Sequence, residues 1–330
     1  MYFTPMNILI RLPNWLGDMV MSTAFVQAVK DEYPAATIDL VTKKGIDFIL
    51  DYFPAHGQRY IFSKNDYKGI TGAWKFGKMI ALQKKYDIFF CLPDSFSSAI
   101  MGRAIAAKQR VGFKKEMRTL LLTHSYTKQK NIHRVEEYVD LLKQFTKKEI
   151  HIPSVKLQLP AAEKTNAIII NVNSEAVSRR LPKEKAISII AAVRNKISNE
   201  IILVGSNKEA AFVEEVLNAL PDKNNISSKA GVTSLPNLMQ LFARSTAVLT
   251  TDSGPAHLAN ALGVHTVVLF GAGNENNTAP YNKNSLTIIR LGQLPCEPCV
   301  SNTCKLYGVP QCLARLDENI IVAAVTNALA

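Results

Sequence analysis

The sequence predicts an α/β protein made of two successive doubly wound domains. Three observations support this prediction. The chain has 330 residues, of which 47% are hydrophobic and 20% charged, so there is apolar surface for two cores. Short β-like runs alternate with amphipathic stretches, which favours parallel sheets with helices on both faces. The alternation starts again in the second half of the chain.

In the first half, each predicted strand ends in turn residues and is followed by a stretch with helical periodicity. The predicted strands are Asn7–Arg11, Thr37–Thr42, Tyr60–Phe62, Asp87–Leu92 and Arg110–Gly112. The predicted helices are 17–32, 45–52, 68–84, 94–107 and 134–145. The segment 147–164 combines charges, prolines and weak periodicity, and we interpret it as the end of one domain and a linker. The predicted domains are therefore 1–160 and 161–330.

The second half repeats the pattern. Its predicted strands are Ala167–Val172, Glu200–Gly205, Ile226–Lys229, Ala247–Thr251, Thr266–Phe270 and Leu286–Arg290. Its predicted helices are 183–197, 207–220, 234–243, 254–262 and 317–329, and the last of these could return to pack on the first domain. Ligands in this architecture bind beyond the carboxyl ends of the strands. Two facing domains would place the site in the cleft between them.

Net charge indicates the kind of partner that the protein meets, and hydropathy argues against a membrane-spanning or secreted protein. The net charge is +12, of which residues 1–160 carry +10 and residues 161–330 carry +2. The first half is therefore expected to meet an anionic partner, either nucleic acid, a lipid surface or an acidic substrate, unless the surface is simply basic throughout. No apolar run approaches the roughly 18–20 residues of a membrane span. Residues 1–18 lack the features of a secretory signal, so a cytoplasmic location is expected.

The strongest local signal is a buried strand that runs through Thr251, Asp252, Ser253 and Gly254 into a helix. The unpaired N–H groups at a helix start suit a phosphate, and Gly254 lets a ligand approach the backbone. Asp252 would repel a phosphate, so it fits sugar hydroxyls better, unless it only caps the helix. A capped structural turn is the alternative for the whole motif. His257, in the first turn, could be a packed, capping or catalytic residue.

Two other turns carry candidate residues. Arg179 and Arg180 precede a helix that starts near Pro182, where two guanidinium groups could clamp a diphosphate or could simply be solvated. The first strand-to-helix turn, 11–18, contains neither a dinucleotide fingerprint nor a P-loop. It offers Asp18, either as a general base or as a carboxylate that the helix dipole favours.

Two clusters allow alternative interpretations. Eight Lys/Arg residues lie between Arg103 and Lys130, with one acid, and suit a phosphorylated ligand at least as well as nucleic acid. Four cysteines share a Pro- and Gly-rich loop and could hold a structural zinc or remain reduced thiols that pack the loop. These are Cys296, Cys299, Cys304 and Cys312. Trp15 and Trp74 are interpreted as packing residues.

The chain resembles glycosyltransferase family 9, the ADP-heptose:lipopolysaccharide heptosyltransferases, from Ile8 to about Val325. The most specific motif is TDSGPAHLA at 251–259, followed by Phe270-Gly271. The segments PNWLGDMVMS at 13–22, LPDSFSSA at 92–99 and GFKKEMR at 112–118 are similar to the heptosyltransferase II branch. The cysteine-rich tail is similar to that of many members.

The resemblance implies a GT-B fold, with two Rossmann-like domains facing across a cleft. It implies inverting, single-displacement transfer of L-glycero-D-manno-heptose from ADP-heptose to the lipopolysaccharide inner core, most specifically as the second heptose. The acceptor would bind the first domain and the nucleotide sugar the second. The partners would be ADP-heptose, a core acceptor of Kdo-lipid A bearing heptose, and the inner leaflet of the cytoplasmic membrane, with no nucleic acid. No cofactor is expected, because the arginines and the helix terminus could do the work of a divalent cation.

The resemblance also implies roles for residues. Asp18 would be the base that takes the proton of the acceptor hydroxyl. Expected donor-binding residues are Ser174, Arg179, Arg180, Glu209 at the ribose, Thr233 near adenine, Asp252, Ser253, Gly254 and His257. Expected acceptor-binding residues are Asn14, Lys114, Lys115 and Arg118.

Two departures from the family pattern concern the donor. Asn171-Val172-Asn173-Ser174 stands where many members have a Pro-Gly-Ala-type turn, and Leu181 stands where an aromatic residue often follows the two basic ones. The alternatives are therefore another nucleotide-sugar enzyme, including one resembling UDP-N-acetylglucosamine epimerases, and a nucleic-acid-binding module that uses the basic half.

Overall fold

A computed structural model describes residues 6–329 of the chain. The chain divides into two compact units between Gln158 and Leu159. Residues 1–5, which belong to the segment 1–18 that lacks the features of a secretory signal, lie outside the described residues. Within residues 6–329, every helix is too short or too polar to span a bilayer.

The first unit contains a six-stranded, wholly parallel sheet in the order β3-β2-β1-β4-β5-β6. The strands are β1 (Asn7–Arg11), β2 (Thr37–Lys43), β3 (Arg59–Phe62), β4 (Ile88–Cys91), β5 (Gln109–Phe113) and β6 (His124–Tyr126). The central strands are buried along almost their whole length, as expected for a parallel sheet covered on both faces. The first five confirm the sequence prediction. The prediction missed β6 because it is a three-residue, half-buried edge strand without an apolar run.

The helices of the first unit are α1 (Leu16–Met21), α2 (Thr23–Glu32), α3 (Gly69–Gln83), α4 (Phe96–Ile105) and α5 (Arg134–Thr146). Two 3-10 helices, Asp47–Tyr52 and Glu116–Leu121, complete it. The single predicted helix 17–32 is interrupted at Ser22. There the hydroxyls of Ser22 and Thr23 donate to the carbonyls of Met19 and Val20 and compete with the helical hydrogen bonds.

The second unit repeats this architecture, with a parallel sheet in the order β12-β11-β10-β7-β8-β9. Its strands are β7 (Ala167–Asn171), β8 (Glu200–Leu203), β9 (Ile226–Ser228), β10 (Ala247–Thr251), β11 (His265–Phe270) and β12 (Leu286–Arg290). All six confirm the predicted strands.

The helices of the second unit pack on its sheet, and apolar side chains from the helices and the strands together form a hydrophobic core. They are α6 (Lys183–Lys196), α7 (Ala210–Asn218), α8 (Leu235–Arg244), α9 (Gly254–Ala261), α10 (Glu275–Thr278), α11 (Gln311–Ala314) and α12 (Glu318–Asn327), with 3-10 helices at Val177–Arg179, Asn207–Glu209 and Lys283–Ser285. The last helix packs on α6 within this unit, where Lys185 Nζ lies 2.6 Å from Glu318 Oε1.

Candidate active site

In the second unit, polar side chains converge at the carboxyl ends of the neighbouring strands β7 and β10. Asn171 ends β7, and its Nδ2 lies 3.0 Å from Thr250 Oγ1 and 3.1 Å from Ser253 Oγ. Ser253 immediately precedes α9, and its hydroxyl donates to Thr251 O at 3.1 Å. Because Pro255 has no N–H to lose, it stands in the first turn of α9 without cost. The helix start thus lies directly at the strand end.

Asp252 and Arg179 form a partly buried ion pair beside this turn. Arg179 Nη1 lies 3.2 Å from Asp252 Oδ2, and the Asp252 side chain is 4% exposed. Burial raises the pKa of Asp252 above its ordinary value, while Arg179 and Arg290 act in the opposite direction. The carboxylate also lies against Gly273, where a Cβ would come within 1.9 Å of Oδ2. Asp252 therefore occupies a space that only a glycine neighbour leaves open.

Several polar atoms in this group are buried without a hydrogen-bond partner within residues 6–329. They include Nε of Arg179, Nε of Arg180 and Oδ2 of Asp252, whose contact with Arg179 lacks hydrogen-bond geometry. Buried polar groups normally have hydrogen-bond partners, so these three atoms are candidates for contact with a ligand. The Nη2 of Arg180 donates to Ser174 O at 3.1 Å, and its guanidinium lies 6.0 Å from the centre of the Phe212 ring.

The structure thus brings together Ser174, Arg179, Arg180, Asp252, Ser253 and Gly254 of the expected donor-binding residues. Ser174 Oγ lies 3.5 Å from Asp252 O. His257 is 6% exposed and lies in the first half of α9.

Glu209 and Thr233 lie on separate loops, after β8 and β9. Glu209 accepts from the backbone N–H of Ser206 at 2.7 Å and so caps the Asn207–Glu209 helix. The hydroxyl of Thr233 donates to Lys229 O at 2.8 Å. The two loops are joined by a hydrogen bond from Gly231 N to Gly205 O, and Gly205 lies against Asn173 of the β7 turn.

The sequence did not predict the residues that hold the turns of this site together. Asn173 Nδ2 donates to Val204 O and connects the β7 and β8 turns. Arg290, at the end of β12, donates to Gly271 O at 2.9 Å and pairs with Glu275 at 2.6 Å, which holds the 271–275 loop against Asp252. A sequence feature that could have indicated Arg290 is its position at the carboxyl end of a predicted strand.

In the first unit, Asp18 lies in the first turn of α1, directly after β1. Arg134 Nε is 3.6 Å from Asp18 Oδ1, and Arg134 Nη1 is 2.8 Å from Glu137. Burial raises the pKa of Tyr138 well above its ordinary value, and the nearby Asp18 carboxylate raises it further. Asp18 is therefore held in a charged and polar environment built by α5.

The ion pairs continue from α5 across the carboxyl edge of the sheet. Lys128 Nζ lies 2.7 Å from both Glu137 and Asp94, and Asp94 in turn lies 3.3 Å from Arg118. A connected network of alternating charges thus runs from Asp18 to Arg118, of which the sequence indicated only the two ends.

The four expected acceptor-binding residues occupy different environments. Lys114 and Lys115 are exposed after β5. Asn14 accepts from Arg11 Nη2 at 2.5 Å. Arg118 is 1% exposed and donates to Pro93 O at 2.9 Å, so its contacts hold the Glu116–Leu121 helix in place.

The four cysteines of the cysteine-rich loop lie near one another but are not placed as metal ligands among the described residues. Cys296, Cys299, Cys304 and Cys312 line one small cavity as free thiols. Within residues 6–329, no three His, Cys, Asp or Glu side chains are placed to hold a metal ion. Burial raises the pKa of Cys312 to about 11, and Glu297, Cys299 and Cys304 raise it as well.

The interpretation of the two tryptophans as packing residues is also wrong. Trp15 is 62% exposed and Trp74 is 41% exposed. Both lie on helical or turn segments whose buried faces are filled by smaller or aliphatic side chains.

The model of glycosyltransferase family 9 (heptosyltransferase) matches residues 73–309. The chain belongs to this family. This family 9 glycosyltransferase is 27% identical over 314 residues to lipooligosaccharide heptosyltransferase 2 of Campylobacter jejuni, covering 91% of this chain and 92% of that one. It is also 27% identical to lipopolysaccharide heptosyltransferase 2 of Escherichia coli K12, covering 87% and 88%.

Solved structures share the GT-B fold of this family 9 enzyme. The structure of E. coli ADP-heptose lps heptosyltransferase II has a TM-score of 0.82 at 24% identity and covers 98% of each chain. A family 9 glycosyl transferase from Veillonella parvula has a TM-score of 0.84 at 18% identity, covering 100% of this chain and 98% of that one. The expected α/β class and GT-B fold are confirmed.

Proposed function

We propose that this glycosyltransferase moves L-glycero-D-manno-heptose from ADP-heptose to the inner core of lipopolysaccharide, as the second core heptose. The observation that carries the proposal is the group formed by Arg179, Arg180 and Asp252 at the start of α9. Unpaired guanidinium N–H groups and a helix N-terminus suit a diphosphate, and a buried carboxylate suits sugar hydroxyls. The relatives named heptosyltransferase 2 support the choice of transferred sugar and acceptor.

The chemistry is a single displacement with inversion at the anomeric carbon. An acceptor hydroxyl bound by the first unit gives its proton to Asp18, and its oxygen forms a bond to C1 of the heptose. The bond between C1 and the diphosphate breaks, and ADP departs with the electron pair. Arg179 and Arg180 stabilise the negative charge that develops on the leaving diphosphate. Arg134 orients the Asp18 carboxylate at 3.6 Å and balances its charge before the proton arrives.

The acceptor is a membrane lipid in this proposal, so the enzyme works at the cytoplasmic face of the membrane. Most of the positive charge of the chain lies in its first half, which is the half proposed to bind the acceptor. Exposed Lys114 and Lys115 would meet phosphates or carboxylates of the inner core.

The deciding experiment measures turnover of ADP-heptose with core acceptors that bear no heptose or one heptose. Turnover only with the one-heptose acceptor is expected. Turnover only with the heptose-free acceptor would assign the first heptose instead. Turnover with UDP- or GDP-sugars but not with ADP-heptose would reject the donor.

A further inference from the structure

One layer of the first unit combines exposed apolar side chains with an excess of positive charge. The layer consists of α3, α4 and the Glu116–Leu121 helix, which pack on one another in that order. The exposed basic residues on or directly beside these elements are Lys68, Lys75, Lys78, Arg103, Lys114 and Lys115. Glu116 is the one acidic residue within the three elements.

Helix α3 buries apolar side chains on its inner face and also exposes apolar side chains on its outer face. Its inner face buries Gly72, Ala73, Phe76, Gly77 and Ile80. Its outer stripe, at every fourth position, carries Ile70, Trp74, Lys78 and Leu82, which are exposed to solvent. The helix contains no acidic residue.

The basic side chains of α3 flank its exposed apolar ones. Lys68, Lys75 and Lys78 are exposed, and Lys78 Nζ lies 5.4 Å from the centre of the Trp74 ring. An exposed tryptophan and isoleucine surrounded by lysines are typical of helices that lie in the interface of an anionic bilayer.

The two other members of the layer extend this surface toward the carboxyl edge of the sheet. Phe96 is exposed at the start of α4, and Met117 and Leu120 are 68% and 80% exposed on the Glu116–Leu121 helix. Helices that follow parallel strands begin at the carboxyl edge, so Ile70 and Phe96, at the starts of α3 and α4, lie near that edge.

The members of the layer pack closely on one another and on their neighbours. At Gly77 a Cβ would come within 2.6 Å of Met101 O and 2.7 Å of the Ala104 Cβ, so α3 and α4 touch along their backbones. The buried Arg118 ties the Glu116–Leu121 helix to Pro93 O and Asp94. The exposed apolar groups therefore stand on closely packed elements.

We infer that this layer, α3 with the start of α4 and the Glu116–Leu121 helix, docks the enzyme on the surface of an anionic phospholipid bilayer. Ile70, Trp74, Phe96, Met117 and Leu120 enter the interface, and the lysines bind lipid phosphates. The inference rests on the proposed function, because a lipid-linked acceptor keeps its reactive sugars near the membrane and so gives the enzyme a reason to bind there. The charge of the layer selects an anionic lipid surface over a second copy of this equally basic chain.

The test compares co-flotation with vesicles of phosphatidylcholine alone and of equal parts phosphatidylcholine and phosphatidylglycerol. Wild-type protein is expected to bind the anionic vesicles. The apolar variant, Ile70→Ser with Trp74→Ser, should bind them at least tenfold more weakly. The charge variant, Lys75→Gln with Lys78→Gln, should lose a factor of about five for each lysine.

The matched control is Ile320→Ser with Lys196→Gln, which removes an exposed isoleucine and an exposed lysine from the second unit. It should bind vesicles as the wild type does. Equal binding of all variants, or no binding of wild-type protein to the anionic vesicles, would overturn the inference. A wild-type dimer that the apolar variant converts to a monomer in sedimentation would also overturn it and assign the face to a second copy.

A spectroscopic readout tests insertion directly. The chain has two tryptophans, so Trp15→Phe leaves Trp74 as the only reporter. Its emission should move to shorter wavelength on addition of the anionic vesicles, and an unchanged spectrum would contradict insertion.

Turnover separates this inference from the proposed function. With ADP-heptose and a water-soluble core acceptor that lacks acyl chains, the apolar and charge variants should turn over as the wild type does. With the acceptor embedded in anionic vesicles, they should be slower. If no variant turns over ADP-heptose, the proposed function fails while the vesicle binding still decides the docking surface.

Discussion

Asp18 is the residue whose removal should separate chemistry from donor binding. It lies beside Arg134 in the first unit, whereas the proposed diphosphate contacts all belong to the second. Asp18→Asn keeps the size and hydrogen-bonding capacity of the side chain but cannot take the acceptor proton. We expect kcat to fall by roughly 10²–10⁴, with the Kd of ADP unchanged by calorimetry. A variant with near-normal kcat would remove Asp18 as the base.

Replacing the Asp252 carboxylate should raise the stability of the protein while it lowers donor turnover. Because its pKa in the folded protein is raised by burial, the folded state holds a proton more tightly than the unfolded chain. Stability is therefore lost as the pH rises through this raised pKa, and at neutral pH the buried carboxylate is a cost. Asp252→Asn should raise Tm at pH 7, by roughly 2–4 °C for each kcal/mol gained, while donor turnover falls.

The pH dependence is the decisive part of the Asp252 measurement. Below the ordinary pKa of an aspartate both proteins carry a neutral side chain, so the difference in Tm should disappear. A difference that persists or grows in acid would show that burial of the charge is not its cause. Asp222→Asn, at a less buried aspartate of the same unit, serves as the control.

At the scale of elements, α5 positions the proposed base. Its first residue, Arg134, contacts Asp18, and the helix is capped by His133 and Glu136. Arg134→Gln should lower kcat roughly tenfold through misplacement of the carboxylate, with little change in the KM for ADP-heptose. Arg134→Lys should recover part of the rate. An equal loss in both variants, accompanied by a lower Tm, would indicate a purely structural role.

The contact between α3 and α4 gives a second prediction at this scale. A methyl group at Gly77 would meet backbone atoms of α4, which cannot rotate away as a side-chain tip can. We expect Gly77→Ala to lower the free energy of unfolding by about 1–3 kcal/mol in urea titrations. Thr71→Ala, at an exposed position of the same helix, should change it by less than about 0.5 kcal/mol.

At the scale of the whole molecule, ligand binding should discriminate among the nucleotide-sugar enzymes considered from the sequence. ADP at 100 times its Kd would add about 2.7 kcal/mol to stability and raise Tm accordingly, whereas UDP and GDP should have smaller effects. Arg179→Ala should abolish most of the ADP shift because it removes a guanidinium that is proposed to bind the diphosphate. A larger shift with UDP than with ADP would favour the epimerase-like alternative.

Much of the fold follows from local sequence pattern. Eleven of the twelve strands coincide with predicted runs, because buried parallel strands are continuous apolar segments bounded by turn residues. The exception, β6, pairs through its backbone with β5 and has no side-chain pattern to reveal it. The site was predictable where one turn supplies several groups, as at Asp252, Ser253 and Gly254.

What only the tertiary structure decided is which distant side chains meet. The α/β class, the two repeats and the helix-start motif are determined by periodicity and by turn chemistry, which act over a few residues. The pairing of Arg179 with Asp252, the support from Arg290 and the network from Asp18 to Arg118 join segments tens of residues apart. They exist because parallel strands bring their carboxyl ends to one edge, and no local pattern encodes which charges will face each other there.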